Sequence, residues 1–238
     1  MVLLLLTLID QALQGLFKIM PITSLCRISL DIIWDVDISG LAPFTHEEAD
    51  TRLLLHLEDA VKKGHNKVLI YTVDTDVVVL AVTAAQCLNI DEFWVAFGVG
   101  NNFIYIAAQD IPGALGPDQC AALLIFHTFT GCNAVSYFGG RGKRTAWETW
   151  NAYGGVTAAF CALAARPSPE SIEEHMGLLG HFIDVLYNRI SDQKCLNQAR
   201  KQLITQKGRS LDGLPPTRAA LNSTPNELPT KLDTADPR

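Results

Sequence analysis

No Cys-x-x-Cys pair occurs in this 238-residue sequence, and none of its six cysteines (Cys26, Cys87, Cys120, Cys132, Cys161 and Cys195) has partner histidines at zinc-ligand spacing. Thiols scattered in this way exclude a zinc finger or a disulfide framework. They read as reduced, mostly buried side chains of an intracellular protein, nuclear or cytoplasmic and not secreted. Basic charge is also scarce: 19 Lys and Arg face 25 Asp and Glu, a formal net charge of −6. That balance excludes a protein that coats nucleic acid by bulk electrostatics, so any grip on a phosphate backbone has to be local. The apolar opening from Met1 to Ile9 has no basic residues before it, meets Asp10 early and is followed by no small-residue cleavage site, unlike a signal peptide. It is too short to span a bilayer, and no membrane partner is expected. Internal repeats are absent as well.

What is present is enough apolar sequence for a core: 48% hydrophobic and 18% charged residues. Residues 1–44 form a poorly patterned lead, read as truncated, with a strand-like run from Ile28 to Val36 that carries Asp31 and Asp35. From Thr45 the pattern sharpens. Thr45 and Glu48 form a capping box, and Ala49, Leu53, Leu57, Ala60 and Val61 recur at helical spacing until Gly64. Lys67 to Val73 is a continuous apolar run suited to a central parallel strand, and Phe93–Phe97 and Phe103–Ile106 read as two more strands. This alternation predicts an α/β core over residues 45–130, a mostly parallel sheet of Rossmann type with helices on both faces. Residues 131–206 turn helical, through Val156–Ala165, Ser171–Tyr187 and Gln193–Gln206. Residues 207–238, rich in Pro, Thr, Asn, Ser and Asp, read as a disordered tail.

Carboxylates supply the first chemical signal. Glu48 and Asp50 stand two apart at a helix start, and Asp74 and Asp76 two apart at the end of a strand, where α/β sheets bind ligands. Gathering acids at element ends is costly without a cation. Two-metal hydrolysis of a phosphodiester needs several such hard oxygen ligands around one pocket. Each pair also has a plainer reading: Glu47, Glu48 and Asp50 as favourable charge at a helix N-terminus, and Asp74 as the cap of the next helix.

A glycine-rich basic stretch follows, Gly139-Gly140-Arg141-Gly142-Lys143-Arg144, and leads into a helix holding Ala146, Trp147 and Trp150. Glycines let backbone amides approach a phosphate, and Arg141, Lys143 and Arg144 add charge, as in the hairpin of helix-hairpin-helix modules. The plainer reading is a glycine turn before a solvated basic helix turn.

The order Glu48-Ala49-Asp50, helix, strand, Asp74-Thr75-Asp76, Gly131-Cys132-Asn133 and Gly140-Arg141-Gly142-Lys143-Arg144-Thr145-Ala146 is similar to the flap endonuclease branch of the PIN-domain nucleases. It also resembles a group of animal proteins read as mobile-element derived, which share the strings His46–Leu55, Asp74–Leu80 and Phe126–Trp147. The likeness covers residues 44–205. It implies a PIN-like fold with a helix-hairpin-helix-like element, and metal-dependent, structure-specific phosphodiester hydrolysis on DNA or RNA. Glu48, Asp50, Asp74 and Asp76 match the catalytic acids that hold a two-metal site of magnesium or manganese, with Asn133 as a fifth ligand. Gly140, Arg141, Gly142, Lys143 and Arg144 match the turn that binds the nucleic-acid backbone without reading sequence. Two departures weigh against activity. Asn133 stands where the pattern has aspartate, and the strand with the first catalytic aspartate has no convincing equivalent. A catalytically inactive nucleic-acid-binding module is therefore the alternative.

A phosphatase of the haloacid dehalogenase type is a further alternative, since Asp74-Thr75-Asp76-Val77-Val78 fits its nucleophile loop, but the lysine and second acidic motif it needs are not found in good context. His46 and His127 read as packing or capping groups before proton shuttles. Trp147, Trp150 and Tyr153, about one helical turn apart, read as core before base-stacking groups. Ser136 and Cys132 lack the histidine and acid of a nucleophilic site.

Overall fold

Gly64 ends the first helix for a conformational reason: its φ of +89° is the left-handed backbone that glycine adopts without strain. His65 N–H donates back to Ala60 O at 3.0 Å and Gly64 N–H to Val61 O at 2.9 Å, which satisfies carbonyls the helix would otherwise leave open. The helix is α1 (Ala49–Lys62), the first element of a computed structural model that describes residues 49–131, 138–166, 168–188 and 214–216. The Thr45 capping box, the runs Ile28–Val36 and Gln193–Gln206, and most of the expected tail lie outside the described residues. Within the tail, Leu214 is buried.

Among the described residues the chain is mixed α/β, with seven α-helices and a three-stranded mixed sheet. It parts into two compact units between Cys120 and Ala121. The first unit carries β1 (Lys67–Thr72), α2 (Thr75–Cys87), β2 (Glu92–Phe97), β3 (Ile104–Ala107) and α3 (Ile111–Leu115). In β1, Val68, Leu69 and Ile70 are all buried although alternate side chains point to opposite faces, so both faces are covered, as its unbroken apolar run requires. Strand β2 pairs parallel with β1, Val68 facing Phe93 and Thr72 facing Phe97.

Strand β3 departs from the expected parallel pattern. It pairs antiparallel with β2, Trp94 facing Ala107 and Phe97 facing Ile104. The link from Gly98 to Phe103 is too short for a parallel crossover, which needs about a dozen residues, and positive φ at Gly98 and Gly100 lets the chain turn back at once. Helix α2 is buried from Val77 through Val82 on every side, so packing rather than amphipathicity holds it. It packs against both β1 and β2.

The second unit is helical: α5 (Lys143–Ala152), α6 (Thr157–Ala165) and α7 (Pro169–Tyr187), with most of α4 (Pro117–Phe129). Ser168 caps α7, its Oγ accepting from Ser171 N–H at 3.1 Å, and Pro169 fills a first-turn position whose amide would have no helical partner. Aromatic rings make its core. Phe126 stacks on Trp150 at 4.6 Å between centroids and meets Trp147 edge-on at 5.6 Å, while Phe160 joins Trp150 and Phe182. Trp147 and Trp150 are thus core residues, as their helical spacing predicts. No helix among the described residues is long and apolar enough to cross a membrane.

Candidate acidic site and the glycine-rich turn

Asp74 leaves β1 at its carboxyl end and becomes the N-cap of α2. Its backbone is extended (φ −96°, ψ 133°), its N–H donates to Thr72 Oγ1 at 2.9 Å, and its Oδ1 accepts from Asp76 N–H at 2.9 Å. The cap satisfies one amide that the helix cannot use and contributes about 1 kcal/mol. Asp76 follows in the first turn, where the positive end of the helix dipole stabilises a carboxylate. Both acids are half-buried. The capping reading of Asp74 is therefore correct as local structure, and it fixes the carboxylate in one orientation at the carboxyl end of the parallel pair.

The sequence assigns three further groups to this site. Glu48 and Asn133 lie outside the described residues, and Asp50 is described only as a helical position of α1. The structure therefore brings together Asp74 and Asp76. Their donor chemistry, hard carboxylate oxygens, fits magnesium or manganese. Among the described residues no group of three or more His, Cys, Asp or Glu is placed to hold an ion.

The glycine-rich turn is built differently from its motif. Arg141 N–H closes it on Phe138 O at 2.9 Å, and Gly140 at φ +68° supplies the left-handed residue. Lys143, which the motif assigns to a phosphate, is only 7% exposed. Its Nζ donates to His127 O at 2.7 Å and to Thr130 Oγ1 at 3.2 Å. The ammonium thus sits at the C-terminal end of α4, where a helix presents open carbonyls and the negative end of its dipole. Reaching a phosphate would mean withdrawing a buried charge from these acceptors.

Arg141 is likewise engaged: its Nη2 donates to Tyr187 O at 3.0 Å and its guanidinium carbon lies 5.3 Å from the centre of the Tyr187 ring. Arg144 is the exposed cation of the stretch and pairs with Glu148 one turn on, Nε to Oε1 at 3.2 Å. Gly142 caps α5 with ordinary φ (−81°) and no side-chain cap, and a Cβ there would meet nothing within 4 Å. The fold makes no demand for glycine at this position, and its absent side chain leaves the backbone approachable.

Two placements were not legible in the sequence. Lys143 as a helix-end donor carried no signal, because a lysine after a Gly-x-Gly reads as solvated whichever way it turns. Tyr71 reads as part of an apolar strand, yet it is exposed. Away from these sites, burial first and Cys87 second push the Cys120 thiol up to about 11, which marks an inert core cysteine. No family, no curated protein and no solved structure matches the chain.

Proposed function

We propose that the chain is a diverged, PIN-like nuclease domain in which Glu48, Asp50, Asp74 and Asp76 hold magnesium or manganese for phosphodiester hydrolysis on DNA or RNA. The observation that carries the reading is the Asp74–Asp76 pair at the carboxyl end of β1 and on the N-terminus of α2. Element lengths add support. Helix α1, 14 residues and about 21 Å, leads through a short turn into β1, 6 residues and about 20 Å; returning along the helix, β1 would end near the first turn of α1, where Asp50 stands. A bound divalent cation would offset the carboxylate repulsion and polarise the scissile phosphate. Asp74 contributes an oriented carboxylate whose rotamer its cap bond fixes, and Asp76 a second charge on the same helix start. The stretch from α4 to α5, read as helix-hairpin-helix-like, would offer a backbone phosphate the approachable Gly140–Gly142 peptides and the Arg144 charge.

The test is cleavage of flap, hairpin and single-stranded substrates with manganese, wild type against Asp74→Asn. Asparagine caps a helix as well as aspartate, so the variant keeps its fold and loses the charge. Cleavage by the wild type that falls at least about tenfold in the variant, a loss of some 1.4 kcal/mol of transition-state stabilisation, supports the reading. Equal background in both removes the enzyme claim. Salt-sensitive binding with no cleavage then assigns the chain to the inactive nucleic-acid-binding class.

A further inference from the structure

Every large apolar side chain that stands exposed among the described residues lies at one end of the sheet: Tyr71 at 45%, Val73 at 67%, Val99 at 70% and Phe103 at 36%. This is the end at which β1 and β2 finish and β3 begins. Gly98 N–H donates to Thr72 O at 3.1 Å, which brings the turn carrying Val99 beside Tyr71 and Val73. Single exposed apolar residues need no explanation, but four gathered at one end do.

The rings form one surface. Tyr71 faces Ala96 across the sheet and Ala96 faces Tyr105, so two tyrosines flank the small side chain of an alanine. Phe103 meets both, tilted 32° to Tyr71 at 6.4 Å and edge-on to Tyr105 at 5.2 Å. Leu69, Trp94, Ala96 and Ala107 form a buried cluster beside them, and Tyr105 packs on it. Rings held in place before binding lose little side-chain entropy when a ligand arrives.

The occupant follows from what this surface offers and what its stretch of chain lacks. No lysine or arginine occurs between Lys67 and Arg141, so the stretch supplies no fixed cation for a phosphate. A ligand is gripped here by a planar, uncharged part. A nucleobase is such a group, and it stacks on aromatic rings whatever its identity, provided that it is unpaired. Position supplies the link to chemistry. Tyr71 stands three residues before Asp74, no more than about 11 Å along the chain, and roughly three nucleotides of a stacked strand cover the same distance. We propose that Tyr71 and Phe103 are a stacking platform for an unpaired nucleobase of a single-stranded DNA or RNA segment, a phosphate of which, a few nucleotides away, meets the cation assigned to Asp74 and Asp76. The platform rests on the nuclease reading and narrows its substrate: a single-stranded stretch lies beside the cleaved bond, and a continuous duplex, whose bases hide their faces, is rejected.

The test is fluorescence anisotropy of the full chain, with calcium in place of manganese, against a labelled oligothymidylate, an oligouridylate, an abasic strand and a blunt duplex of equal length. The two oligonucleotides bind, their ratio deciding between DNA and RNA, and the abasic strand and the duplex bind at least about tenfold more weakly. The Tyr71→Leu/Phe103→Leu double variant, which keeps apolar bulk but removes both ring faces, loses roughly 5- to 50-fold on the preferred oligonucleotide and nothing on the abasic strand. Tyr71→Phe keeps the ring and the affinity. Equal affinity of wild type for the base-bearing and abasic strands overturns the platform, and this comparison needs no variant. Undiminished affinity in the double variant, with circular dichroism unchanged, overturns it as well. Cleavage with manganese separates the two readings. Cleavage without ring-dependent binding removes the platform and leaves the nuclease, whereas ring-dependent binding without cleavage leaves the platform and removes the enzyme.

Discussion

Arg141 and Tyr187 clasp one another: the guanidinium donates to Tyr187 O at 3.0 Å, and the Tyr187 hydroxyl donates to Gly139 O at 3.2 Å, two residues before the arginine. The first bond occupies a carbonyl at the C-terminal end of α7, and the second ties the glycine-rich turn to the same residue. The turn is thus anchored to α7 by both partners, and the cation over the ring adds to the pair.

Tyr187→Phe removes only the hydroxyl bond and is expected to cost about 0.5–1.5 kcal/mol. Arg141→Ala removes the carbonyl donor and the ring contact together. If the clasp is one unit, the double variant costs less than the sum of the singles, by about 0.5 kcal/mol or more in urea denaturation. Strict additivity would mean that the two bonds act separately.

Lys143 is the position at which a charge reversal misleads. Lys143→Glu buries a carboxylate against His127 O and Thr130 Oγ1, where an ammonium now donates, and is expected to destabilise the fold by several kcal/mol. Lost nucleic-acid binding in that variant would report unfolding. Arg144→Glu is the informative change, since Arg144 is exposed and surface pairs such as Arg144–Glu148 contribute about 0–1 kcal/mol. Thermal denaturation should leave Arg144→Glu close to wild type and shift Lys143→Glu strongly downward.

Much of the backbone was legible because local signals and tertiary packing agree. The runs at Lys67 and Phe93 became strands, Gly64 ended a helix, and Ser168-Pro169 began one, each through chemistry confined to a few residues. The direction of β3 was less legible, since a short apolar run looks alike in either pairing and only the brevity of the Gly98–Phe103 link decides. The roles of Lys143 and Tyr71 were least legible. Both depend on what the chain brings from far away: the end of α4 for the lysine, and Phe103, on the far side of β2, for the tyrosine. Of the acids, Asp74 is a cap by geometry and, in the proposed nuclease reading, a metal ligand.

Those two roles of Asp74 separate by substitution. Asp74→Ala removes the acceptor for Asp76 N–H and is expected to cost about 0.5–2 kcal/mol. Asp74→Asn keeps the acceptor and should lie close to wild type in a urea melt without metal. Adding manganese should then raise the stability of wild type but not of Asp74→Asn, because a ligand that binds only the folded state stabilises it by mass action. An equal rise in both would place the cation elsewhere.

Two buried tryptophans offer a contrast that depends on hydrogen bonding rather than volume. Trp150 Nε1 donates to Thr157 Oγ1 at 2.9 Å, whereas Trp94 Nε1, packed with Leu69, Ala96 and Ala107, finds no partner among the described residues. Replacing either by phenylalanine removes a similar area and leaves a similar void. Trp150→Phe also breaks its bond to the half-buried Thr157 hydroxyl, which costs about a further 0.5–1.5 kcal/mol, while Trp94→Phe removes a donor already left unsatisfied. Trp150→Phe should therefore be the more destabilising by about 1 kcal/mol in chemical denaturation. Equal losses would mean that the Trp94 indole finds a partner of comparable worth.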